Sequence, residues 1–180
     1  MNLYGVLAGL APSERPHTEK QELNVSRRDQ IKMTDDEIGS YLKNSRTIIL
    51  VSNGKNGFPH PMPMWYSVDD QNVVYMTTFR KSQKINNLKK DPRVALLVES
   101  GDVYQELKSV LIYTEVELID DVEATRDILF NISVQRGDLQ ADAGEKIREG
   151  MMNTASKRMG MKFTPDKIIT WDHSKLGGVY

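Results

Sequence analysis

The chain has 180 residues, 24 Lys and Arg against 25 Asp and Glu for a formal net charge of -1, and no cysteine. That length suits one domain with a proper core, and the balanced charge argues against a general nucleic-acid binder, whose footprint is a basic excess. Without cysteine there is no disulfide, zinc–thiolate, iron–sulfur or cysteine-nucleophile chemistry, and His17, His60 and His173 are too scattered for a histidine-rich metal site.

The first 30 residues read as an N-terminal arm. Pro12, Pro16 and the polar run Glu19 to Asn24 offer little to bury, although Leu3 to Leu7 has an apolar surface that could dock elsewhere. The opening has no basic residues before its short apolar stretch, so it makes a poor signal peptide. No apolar run approaches the ~20 residues of a membrane span. Together with the lack of cysteine, this points to the cytoplasm and to no membrane partner. Residues 31–180 are expected to form the single domain. Thr34-Asp35-Asp36-Glu37 has the spacing of a capping box, and the helix it opens carries Ile38, Tyr41 and Leu42 on one face before ending near Asn44-Ser45. Thr47 to Ser52 is a β-branched run, hence a strand. Asn53 to Gly57 is a hairpin connection, and Pro59 to Ser67 is held extended by three prolines. A turn at Asp69 to Asn72 leads to a strand over Val73 to Thr77.

A short basic helix follows, starting at Ser82 and breaking at Asp91-Pro92. Ser82 is a good N-cap, and helix N-termini suit phosphate. Arg80, Lys81 and Lys84 put full positive charges at the same end, Arg as a two-pronged donor and Lys as a point charge. A short basic helix between strands is also the common form of a solvated face, and the charges alone leave both readings open. Strands over Arg93 to Glu99 and Val110 to Ile119 flank a turn at Ser100-Gly101-Asp102. Two helices are expected next, Glu123 to Gln135 and Ala143 to Met161, the second with a methionine-rich face. The last strand is Ile168 to Trp171. Sequential antiparallel strands with one inserted helix predict an α+β arrangement: a split β-barrel of six or so strands with peripheral helices.

The blocks Gly57-Phe58-Pro59-His60 with Pro63-Met64-Trp65-Tyr66, Lys84-Ile85-Asn86-Asn87-Leu88-Lys89-Lys90-Asp91-Pro92-Arg93-Val94, Tyr104 to Lys108 and Trp171-Asp172-His173-Ser174-Lys175-Leu176-Gly177-Gly178 stand in a recognisable order. From about Arg27 onward the chain resembles the pyridoxamine 5'-phosphate oxidase-like flavin-binding split-barrel proteins, in the branch of FMN- or deazaflavin (coenzyme F420)-dependent oxidoreductases. Lys108-Ser109 stands where that pattern often has Arg-Gly, and Thr114 where it often has glycine.

The resemblance implies a flavin phosphate at the strand–helix junction, here Arg80, Lys81, Ser82 and Lys84, with Asn87 either in the pocket or a core amide. It implies that Pro63, Met64 and Trp65 run past the isoalloxazine ring. Trp171, His173 and Lys175 would cover the cofactor or pack a dimer, and His60 is more simply a hairpin residue. The implied function is oxidation or reduction of a small organic substrate with FMN or coenzyme F420; the alternative is a non-enzymatic flavin or haem carrier or sensor on the same barrel. Chemistry would belong to the cofactor. No Ser-His-Asp or paired-carboxylate constellation marks a catalytic residue. Lys89, Lys90 and Arg93 could receive the acidic tail of coenzyme F420. A homodimer with the cofactor at its seam is also implied, and Met151, Met152, Met159, Met161, Trp171 and Leu176 supply apolar surface for it.

Overall fold

The computed structural model describes residues 26–178. Most of the expected arm, and Val179 and Tyr180, lie outside them. Within the rest of the arm, Arg27–Gln30 form a short helix, α1, capped by Ser26. The capping box forms reciprocally: Thr34 Oγ1 accepts from the Glu37 amide, and Glu37 Oε2 accepts from the Thr34 amide. It starts α2, Asp35–Asn44, which buries Ile38 and Leu42 against the barrel.

Eight strands form one curled antiparallel sheet: β1 (Ile48–Asn53), β2 (Pro59–Met64), β3 (Ser67–Val68), β4 (Val74–Phe79), β5 (Arg93–Ser100), β6 (Lys108–Ile119), β7 (Arg158–Phe163) and β8 (Lys167–Asp172). Their order is β2-β1-β5-β6-β7-β4-β3, with β8 also on β6. The long β6 serves both halves. Residues 108–115 pair with β5 and residues 108–113 with β8, whereas residues 116–119 pair with β7. The result is a split barrel. Leu50, Met76, Leu96, Ile112, Met161 and Phe163 fill its interior with essentially no exposure, and Tyr66 is buried there with its hydroxyl donating to the Leu42 carbonyl at 2.6 Å.

In β2, Pro59, Pro61 and Pro63 lie opposite Asn53, Val51 and Ile49. Proline has no N–H, so His60, Met62 and Met64 are the residues of β2 that donate to β1. The prolines face outward, on the side away from β1.

The expected helix over residues 143–161 is a correction. Only Glu145–Gly150 (α5) and Met152–Ala155 (α6) are helical, and the segment after them is β7. Gly150 and Gly160 are poor interior helix residues, and residues 158–163 alternate with period two. Met159, Met161 and Phe163 point into the barrel. Two of the four methionines expected to await a partner are therefore used in the monomer's own core.

Helix α4 (Val122–Gln135) crosses the outside of β4 and β7. Gly160 allows the approach: a Cβ there would stand 2.9 Å from Ile128 Cδ1, 3.1 Å from Ile119 Cβ and 3.3 Å from Thr125 Oγ1. Among the described residues no helix is long and apolar enough to cross a membrane, and no group of three or more His, Asp or Glu is placed to hold a metal ion.

Gly160→Val adds β-propensity but forces α4 outward, so overpacking should prevail. A loss of about 1–3 kcal/mol is expected, measured by urea denaturation; an unchanged midpoint would show that α4 has room to spare.

Candidate functional site

A cavity of about 330 Å³ opens between the end of β2, the end of β4 and α4. Its floor comes from the β4–β7 ladder and from α3 (Gln83–Leu88). Thr77 and Thr78 line it from β4, Lys84 from α3 and Arg158 from β7. Lys84 is 9% exposed, and its Nζ donates to Thr78 Oγ1 at 3.0 Å. Arg158 lies directly opposite Phe79 in the ladder. Its guanidinium carbon is 4.6 Å from the Phe79 ring centroid, and Nη1 donates to Thr77 Oγ1 at 3.4 Å. Arg158 Nε is buried and finds no acceptor among the described residues. Among the described residues, no carboxylate pairs with Lys84 or Arg158. Burial, and then the neighbouring Arg158 charge, hold the Lys84 ammonium below the usual lysine range, and burial lowers Arg158 as well. Two partly desolvated cations with no carboxylate partner among the described residues favour an anion beside them.

The outer walls differ in character. Pro63, Met64 and Trp65 line one side. On the other, Leu129, Ile132, Ser133 and Arg136 recur at helical spacing along α4. The end of α4 is set by a Schellman turn, in which Gly137 N donates to Val134 O and Asp138 N to Ser133 O, with Gly137 at φ 80°. That turn holds Arg136 across the mouth, with its guanidinium 3.5 Å from the centroid of the exposed Trp65 indole and its Nε 2.8 Å from Asp138 Oδ2.

Of the residues expected at the site, Pro63, Met64, Trp65 and Lys84 come together around this cavity. Arg80, Lys81, Ser82 and Asn87 are not among its lining residues. Arg80 ties its own turn to two others: its amide donates to Lys157 O and its Nε to Ser156 O at 3.1 Å in the turn before β7, and its Nη1 pairs with Asp120 before α4. Ser82 stands at the N-cap position of α3, but its side chain makes no cap hydrogen bond; its Oγ accepts from Thr78 Oγ1 at 3.4 Å. Asn87 is a core amide, donating to Ser52 Oγ and accepting from Gln83 Nε2. Trp171 pairs with Ser109 in the β6–β8 ladder, His173 Nδ1 is 2.9 Å from Tyr104 O, and Lys175 binds Glu37 and the Lys32 carbonyl. Within one chain these three belong to the packing of the tail, not to the cavity. Arg136 and Arg158 were missed. The alternation of residues 158–163 was the signal for Arg158, and the stripe from Leu129 to Arg136 the signal for Arg136.

The family model for pyridoxamine 5'-phosphate oxidase matches residues 34–172. Among solved structures, the conserved hypothetical protein Rv2991 from Mycobacterium tuberculosis is 34% identical with a TM-score of 0.75, over 86% of this chain and 94% of its own. An F420 reductase is 20% identical with a TM-score of 0.52, over 72% and 93% of the two chains. The heme storage protein HutZ from Vibrio cholerae is 13% identical with a TM-score of 0.57, over 75% and 93%. The last two likenesses are of fold. No curated protein matches the chain.

Removing the Lys84 charge should stabilise the free protein. Its pKa is lower folded than unfolded, so the charged form weighs against folding below the folded pKa, and that penalty fades as pH rises towards the ordinary lysine value. In thermal melts, Lys84→Met is expected to raise the melting temperature at pH 7 and to lose that advantage by about pH 10.5. A variant less stable than the parent at pH 7 would refute an uncompensated charge at this position.

Proposed function

Because the chain belongs to the pyridoxamine 5'-phosphate oxidase family, we propose that it binds a flavin-type cofactor, FMN or coenzyme F420, in the cavity beside α4. The cofactor would serve to oxidise or reduce a small organic molecule. The single observation that carries the reading is the pair Lys84 and Arg158, which line one cavity and form no ion pair with a carboxylate of the described residues, the cavity's one lining carboxylate, Asp138, being held by Arg136. The cavity fits such a group: an anion seat at one end, and an apolar wall of Pro63, Met64, Leu129 and Ile132 for a flat ring at the other.

When bound, the cofactor supplies the hydride or electron transfer. The chain's own part is to hold and to exclude. Lys84 and Arg158 would hold the anionic group, with the hydroxyls of Thr77 and Thr78 beside them. Leu129 and Ile132 would keep water from the ring, and the stacked Trp65 and Arg136 stand at the mouth. No side chain is assigned the proton transfer. The haem-carrier alternative finds less in the cavity, since none of its lining residues is a histidine or tyrosine.

Titrating the apo-protein with FMN and with coenzyme F420, followed by visible absorbance and fluorescence, tests the reading. At least one should bind, and Lys84→Met should weaken it by roughly tenfold, the loss of one charge-assisted hydrogen bond. Binding of neither would end it. Reoxidation of the bound, reduced cofactor by small acceptors would then separate an enzyme from a carrier.

We further read the working unit as a homodimer. The outer face of the larger half-sheet runs Pro63, Ile49, Leu97, Leu111 and Ile169 in one row across five strands. Val51, Ala95 and Tyr113 form the row beside it. Ile49, Leu97, Leu111, Ile169 and the neighbouring Trp171 stay partly exposed in one chain, a contiguous apolar surface of the kind that soluble monomers rarely leave open. Leu111→Lys at its centre should turn a dimer into a monomer in light scattering at micromolar concentration; a wild-type monomer that binds one cofactor tightly would refute this assembly.

A further inference from the structure

We propose that the free edge of β8 is a docking site for the chain's own N-terminal arm, which adds Leu3–Leu7 to the sheet there as a short strand. The inference is independent of the cavity beside α4.

Among the described residues, β8 pairs with β6 alone. Asp172 stands opposite Lys108 in that ladder, yet its amide points the other way and donates to Ile31 O at 2.7 Å. Backbone groups alternate in direction along a strand, so the N–H and C=O of Thr170 and Ile168 also face away from β6, while those of Trp171 and Ile169 serve the ladder. The link between α1 and α2 covers only one end of this edge: Ile31 takes the Asp172 amide, and the Met33 amide donates to Thr170 Oγ1 at 3.0 Å. Beyond it a groove of about 460 Å³ runs along residues 167–170, lined also by Met33 from the link and Ile38 from α2. Ile168, Ile169 and Thr170 are partly exposed. Unlike β2, β8 carries no proline, so its edge offers donors as well as acceptors. Natural sheets cover or pair an edge of this kind.

Position, length and composition select the occupant. The chain reaches the groove from its own N-terminal side: Ser26 caps α1, and Arg28 within α1 already lines the groove. Before Ser26 the apolar stretch begins at Leu3, whereas residues 12–24 bring Leu23 as their only large aliphatic side chain. Leu3-Tyr4-Gly5-Val6-Leu7 is five residues long, close to the open length of the edge, and Tyr4 and Val6 suit a strand. In an extended segment Leu3 and Leu7 share one face and Tyr4 and Val6 the other, so either face brings large apolar groups to Ile168, Met33 and Ile38. The 18 residues between Leu7 and Ser26, at ~3.3 Å each, span up to about 60 Å, ample for a return to β8. A tethered segment also meets the edge at an effective concentration on the order of millimolar, which favours it over a free peptide or another copy's arm.

The test is amide hydrogen exchange, read residue by residue by NMR, in the full chain, in a chain lacking residues 2–8 and in the double variant Gly5→Pro with Val6→Pro. Two adjacent prolines put one missing N–H on the β8 side whatever the register. In the full chain the Ile168 and Thr170 amides should exchange at least about tenfold more slowly than in either variant. The Ile169 and Trp171 amides, bonded to β6, should change by less than about twofold, which separates loss of the arm from a general loosening of the barrel. Leu111→Lys, on the sheet face and away from this edge, should keep the protection, since the arm is the chain's own. Equal exchange of Ile168 and Thr170 with and without the arm would overturn the docking. So would a rise common to all four amides. Protection lost in Leu111→Lys would give the groove to a neighbouring copy's arm and overturn docking within one chain. If the shortened chain does not fold, the double proline variant decides.

Discussion

One strand holds the architecture together. β6 is twelve residues long and is the member common to both halves of the barrel: its first two-thirds stand between β5 and β8, and its last third runs along β7. At the changeover, Thr114 turns its hydroxyl to the Thr164 carbonyl and ties the strand to the link between β7 and β8. Because β7 attaches only to the far end of β6 and to β4, the cleft between the two half-sheets stays open at the side where β2 and β4 end. The cavity lies at that opening, and α4 is the wall that narrows it.

The cavity's chemistry follows from three local requirements that meet there. A ladder register brings Arg158 opposite Phe79. A strand–helix turn, clamped from behind by Arg80, presents Lys84 to Thr78. A glycine in β7 lets α4 settle close enough for its stripe of Leu129, Ile132 and Arg136 to face inward. Arg80 is spent on Lys157, Ser156 and Asp120, residues that lead into β7 and α4, and so ties together the segments that line the cavity.

Much of the barrel was legible in the sequence because local signals agreed with the tertiary outcome. The capping box, the glycine- and asparagine-bearing turns and the β-branched runs placed α2 and most of the strands within a residue or two. The stretch after α4 was not legible in the same way. Methionine fits a helix or a core-facing strand equally well, and the decision between them lies in the pairing of β7 with β4 and β6, partners far away in sequence. Reading that stretch as a helix hid Arg158. The charged turn pulled attention the other way: Arg80, Lys81 and Ser82 have the right chemistry for a phosphate, but Arg80 is committed to Asp120 and Ser156, and Ser82 does not cap. Composition identifies cations; only the fold shows which of them are left without a counter-charge.

The outward prolines of β2 bear on how copies of this chain can meet. On the free side of that strand Pro59, Pro61 and Pro63 present carbonyls and not one amide proton, so an incoming strand would find acceptors without the donors that a ladder requires. Growth of the sheet sideways, copy after copy, is thereby discouraged at this edge. The two-fold pairing proposed above would instead use the outer face of the larger half-sheet, and a pairing of that kind uses its surface up and ends the assembly. The same residues that hold the strand extended thus weigh against an open-ended fibre.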